Sequence, residues 1–113
     1  MSERAFQKLF LEVVDDAFSS LGDSAKQSIY FHLEKKFNIA RNDIPCRLAD
    51  FENGLEKIFG AGTRFLEILI MKKLHERVGS EDNVLRWDEG KEFKFVDYVK
   101  AAERNFSRKK KRN

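Results

Sequence analysis

The chain has 113 residues, 42% hydrophobic and 36% charged, with one proline, one cysteine and six glycines; this is the size of one compact domain and argues against a two-domain enzyme. Eleven phenylalanines can build a core, which excludes general disorder, and a single proline among few turn residues is too little punctuation for a small β-sandwich. Five of the 22 lysines and arginines stand together in Arg108-Lys109-Lys110-Lys111-Arg112; the rest of the chain has 17 positives against 19 negatives, so the formal charge of +3 comes from the C-terminal end and the body is at −2.

The first predicted helix runs from about Glu3 to Leu21, because Phe6, Leu9, Phe10, Val13, Val14, Ala17, Phe18 and Leu21 recur at i, i+3, i+4 and i+7 with polar residues between them. Gly22 ends it. Ser24, with Gln27 three residues on, reads as a capping box that opens a second helix to about Lys36, whose stripe is Ala25, Ile29, Leu33 and Phe37. Asn38 to Pro45 reads as a loop, with Pro45 suited to the first turn of the helix that follows. That third helix carries Leu48, Phe51, Leu55, Ile58 and Phe59, and Gly60-Ala61-Gly62 breaks it.

A fourth helix is predicted from about Thr63 to Arg77. Across Phe65, Leu66, Ile68, Leu69, Ile70 and Met71 only Glu67 is polar, so its middle turns are apolar nearly all round, as in a helix central to a bundle or shared between subunits. Residues 84–95 alternate apolar and polar around Asp88-Glu89-Gly90-Lys91, which suits either a short β-hairpin or an extended linker lying on the bundle. A fifth helix follows from about Phe95 to Phe106 through Tyr98, Val99 and Ala102, and residues 107–113 read as a disordered basic tail. The fold class expected is all-α, a single-domain bundle of about five helices.

The chemistry-bearing residues are few. His32, His75 and Cys46 are not at metal-ligand spacing, and a zinc site needs three or four such groups, so no metal and no cofactor are expected. Cys46 would need a base that neither histidine supplies locally, and no catalytic residue is assigned. Gly60-Ala61-Gly62-Thr63 opens a helix, yet it follows a helix rather than a strand and lacks the phosphate-loop lysine, so it reads as a helix–helix joint. The longest apolar run, Phe65–Met71, is far short of the ~18 residues of a membrane span. Met1-Ser2-Glu3-Arg4 carries no secretory pattern, which predicts a cytoplasmic location.

Two kinds of surface remain. Phe31, Ile70 and Met71 fall off the main apolar stripes and are the predicted protein interface, most simply of a homodimer; the alternative is a larger core. Arg108, Lys109, Lys110, Lys111 and Arg112 are the predicted nucleic-acid contact, with a helix-turn-helix-like surface on the short helices as a second route. Against that second route, the third helix sets Asp50, Glu52 and Glu56 beside Arg47, Asn53 and Lys57.

Leu21-Gly22-Asp23-Ser24 through Tyr30-Phe31-His32-Leu33-Glu34-Lys35, then Asn42-Asp43-Ile44-Pro45, Ile58-Phe59-Gly60-Ala61-Gly62 and Leu66-Glu67-Ile68-Leu69-Ile70, resemble the fifth type of Nitrosopumilus output domain, a small archaeal family. The resemblance covers roughly residues 5–78. It implies a helical output module of archaeal signal transduction that acts through contacts and has no defined enzymatic activity; it carries no catalytic residue over.

Overall fold

The computed structural model describes residues 2–78 and 94–111, with side chains described over 4–78 and 94–106. Among these residues there are five α-helices, two short 3-10 turns and no strand: α1 (Ser2–Ser19), α2 (Asp23–Phe37), a 3-10 turn (Arg41–Cys46), α3 (Leu48–Phe59), a 3-10 turn (Gly60–Gly62), α4 (Thr63–Val78) and α5 (Phe95–Lys111). The hairpin considered for 84–95 falls almost wholly on 79–93, outside the described residues; Phe95, its last residue, opens α5.

α1 is the element the others surround, packing against α2, α4, α5 and the first 3-10 turn. Its stripe explains why: Phe10, Val13, Val14, Ala17 and Phe18 are all completely buried. A file of rings crosses the core. Phe106 meets Phe6 at 5.7 Å between centroids, Phe6 stacks on Phe10, and Phe10 meets Phe95 at 6.5 Å. Phe95 meets Phe51, Phe51 meets Phe18, and Phe18 meets Tyr30 at 5.3 Å. Five of these six contacts are tilted, the geometry that ring quadrupoles favour over a face-to-face stack.

The joints differ from the sequence expectation in instructive ways. Ser24 is not a cap: α2 starts at Asp23, preceded by Gly22 at φ 106°, and no side chain caps it. The Gly22 carbonyl accepts the Lys26 N–H at 3.0 Å instead, so the left-handed glycine makes the turn without help from a hydroxyl. α2 ends on Asn38 in the left-handed region, whose N–H donates to Glu34 O while that of Ile39 donates to Leu33 O. The expected loop is partly a 3-10 turn, and Pro45 lies within it rather than in the first turn of α3.

Two corrections concern larger features. Ile70 and Met71, expected at an interface, are 0% and 2% exposed inside the core, because α1 and α5 both pack onto α4 and claim that side of it. The end of α5 is the second. Helical backbone continues through Lys111, five residues beyond the expected end at Phe106 and into the tail expected to be disordered. Lysine and arginine are good helix formers, and cations at a helix C-terminus are favoured by the macrodipole, so nothing in Arg108–Lys111 stops the helix that Phe106 anchors.

Candidate functional site

Four places on the surface bring together residues that could act. The first is where α3 turns into α4. Gly60, at φ 59°, lets the chain leave α3 and make one 3-10 turn before Thr63, whose buried hydroxyl donates to Leu55 O at 3.1 Å and ties the two helices. A cleft of about 270 Å³ opens there, lined by Glu52, Glu56, Gly60, Ala61, Thr63, Arg64 and Glu67. Burial, then a hydrogen bond to Glu52, then the charge of Glu52 push the Glu67 carboxyl up to about 8, with Arg64 opposing. The neighbouring carboxylate and the burial both disfavour the charged form of Glu67. The surroundings of the glycine turn are acidic, which repels phosphate.

The second place is a groove of about 250 Å³ lined by Phe6, Gln7, Phe10, Pro45, Cys46, Leu48, Val99 and Glu103. The Cys46 thiol is exposed, and Gln7 Nε2 lies 3.5 Å from its sulfur. Neither His32 nor His75 lines this groove, so the structure does not assemble the thiol and a histidine base there. Among the described residues no group of three or more His, Cys, Asp or Glu is placed to hold a metal ion.

The third is a polar clasp joining α1, α2 and the first 3-10 turn. Tyr30 donates its hydroxyl hydrogen to Asp15 Oδ1 at 2.5 Å, and Arg41 donates to both oxygens of the same carboxylate, at 3.1 Å from Nε and 2.5 Å from Nη2. Burial alone would raise the Asp15 carboxyl; the hydrogen bonds from Arg41 and Tyr30, with the Arg41 charge, outweigh it and hold it below the usual carboxylate range. Three of the donors here point at one carboxylate, and Arg41 Nη1 turns instead to Asn42 Oδ1 at 3.4 Å. The clasp is structural: it holds the first 3-10 turn against α1 rather than a ligand.

The fourth is the apolar surface. Phe31 is 57% exposed, with Lys35 Nζ 5.9 Å from its ring centroid. On α4, Phe65 is 78% exposed and Ile68 37%. Of the three residues expected at an interface, Phe31 is exposed, whereas Ile70 and Met71 are buried in the core. Along α4, Leu66, Ile70 and Leu74 turn to the core while Phe65, Ile68 and Lys72 occupy the opposite face, and the direction of the face depends on what packs behind it. Phe59, at the end of α3, packs partly buried against the core.

The acidic cleft was missed from sequence, although its signals were present: Glu52 and Glu56 are one helical turn apart, and Glu67 is the lone polar residue of an apolar stretch. Of the predicted nucleic-acid contacts, Arg108 to Lys111 lie on the helical backbone of α5, and Arg112 lies outside the described residues. Among the described residues no helix is long and apolar enough to cross a membrane. No protein-family model, curated protein or solved structure matches the chain. The output-domain resemblance therefore rests on the residues that carry it.

Proposed function

We propose that this chain is a non-enzymatic helical module acting through protein–protein contacts, as an output domain of archaeal signalling or regulation, and that it works as a homodimer. The observation that carries the reading is the pair Phe65 and Ile68 on the outer face of α4, the first of them more than three-quarters exposed. A phenylalanine ring left in water forgoes roughly 2 kcal/mol of burial, which a partner surface recovers. A second copy is the simplest partner for this face, because a two-fold pairing of α4 sets the same apolar surface on both sides of one contact.

The output-domain resemblance supports the same reading, since such a module transmits by contact and needs no reaction centre. Sedimentation velocity of the full chain over a concentration series tests it. A dimer is expected, and Phe65→Ser/Ile68→Ser is expected to give a monomer of unchanged helicity whose melting temperature no longer depends on protein concentration. A monomer at every concentration, or a dimer indifferent to the double substitution, overturns the assignment.

A further inference from the structure

We infer that the outer face of α5 is a phosphate-binding stripe that holds the backbone of a duplex nucleic acid without reading its sequence. This goes beyond the protein-contact reading and rests on a different helix. Its origin is the length of α5. Because the helix continues through Lys111, the basic run is an extension of a packed element rather than a separate tether. At 100° per residue, positions 100, 104, 108 and 111 fall within one sector of about 80°, spread over about 16 Å of helix. Lys100 and Arg104, the two whose side chains are described, are both exposed.

The charge of this stretch is one-sided. From Lys100 to Arg112 there are seven lysines and arginines and one carboxylate, Glu103. Glu103 flanks the stripe, about 60° beyond Lys100, and is half-buried toward the groove with Phe6 and Cys46. The remainder of the chain has more negatives than positives, so the positive potential is concentrated along this half of one helix.

The apolar side of α5 decides which polyanion fits. A membrane-surface helix must offer an apolar face to the acyl boundary. Here Phe95, Tyr98, Val99 and Ala102 are buried in the core and Phe106 packs on Phe6, so that face is already used. Single strands need exposed aromatic rings for stacking, and the stripe has none. An arginine fork such as Arg104 reads guanine alone; reading adenine needs an exposed amide, and Asn105, the one amide of α5, is 3% exposed. What is left is charge facing a regular array of phosphates.

The test is fluorescence anisotropy of a short labelled DNA duplex with the full chain, from about 50 to 200 mM salt. Binding is expected to be independent of sequence and to fall steeply with salt. Lys100→Gln/Arg104→Gln is expected to weaken it roughly tenfold and to make the slope of log K against log salt shallower by about 2. Lys36→Gln/Lys57→Gln removes the same net charge from exposed sites on α2 and α3 and is expected to change affinity less than twofold. Replacing all five of residues 108–112 by glutamine is expected to abolish binding. The inference is overturned if the α5 pair binds like the unsubstituted chain, if the control pair loses as much, or if no duplex binding occurs at the lowest salt. It is equally overturned if phosphatidylserine vesicles are bound at a salt concentration where the duplex is not. None of these outcomes depends on whether the chain dimerises through α4.

Discussion

Glu67 shows how one side chain makes the fold sensitive to pH. An unperturbed glutamic acid titrates at 4.5, whereas Glu67 in the fold titrates at about 8, raised by burial and by its neighbour Glu52. Between those values the folded chain binds more protons than the unfolded one. The contribution of Glu67 to stability is therefore fully present below the lower value and is lost as pH rises through the upper one. The urea midpoint is expected to decline across this window. Glu67→Gln keeps a donor toward Glu52 without the charge, so it should flatten the decline and raise stability at the alkaline end by about 1 kcal/mol. Asp15 works in the opposite sense and elsewhere on the pH scale. Its carboxyl is held below 3.8, so the clasp to Tyr30 and Arg41 is lost only in stronger acid. A midpoint that stays flat from mildly acidic to alkaline pH would show that Glu67 carries no such proton.

At the scale of elements, the contact between α2 and α3 turns on a glycine inside a helix. A Cβ at Gly54 would meet Leu33 Cδ2 at 2.8 Å and the Phe37 ring at 3.4 Å. Leu33 is completely buried, so its methyl can give way only against other packed side chains. Gly54→Ala gains up to about 1 kcal/mol of helix propensity, but overpacking a filled core costs about 1–3 kcal/mol. The net is expected to be a loss of about 1 kcal/mol, read as a lower urea midpoint with an unchanged slope. Gly54 was invisible to periodicity, because a helix-breaking residue in a helical pattern has a reason only once the crossing helix is seen. The helices themselves were legible. The stripes of α1, α3 and α4 place them within a few residues of where they stand, and Gly22 and Gly60-Ala61-Gly62 mark real breaks. The ends were not: Ser24 lost its capping role to Gly22, and α5 outran its last apolar residue, because termination depends on whether the backbone finds a reason to stop.

For the molecule as a whole, the decisive question is which surplus apolar residues the core absorbs. α4 supplies too many for one face. Packing of α1 and α5 onto it takes Leu66, Ile70, Met71 and Leu74 inside and leaves Phe65 and Ile68 outside. Ile70→Glu, which an interface position would tolerate as a monomer, should instead unfold the chain or cost more than about 4 kcal/mol, since it puts an unpaired charge in the centre of the core. A far-ultraviolet thermal melt distinguishes the two directly. A folded Ile70→Glu monomer would mean that this side of α4 faces solvent.

The sequence by itself determined that the chain is helical, roughly where each helix lies, and that its positive charge is gathered at the C-terminal end. These are properties of neighbours three to eight residues apart, and periodicity records them. Only the tertiary structure decided that Ile70 is core and Phe65 surface, that Glu52 and Glu67 meet across a glycine joint, and that Cys46 has no histidine beside it. The physical reason is the same in each case. Burial and electrostatic coupling depend on distances between segments remote in the chain, and an apolar stripe states that something packs on it without stating what.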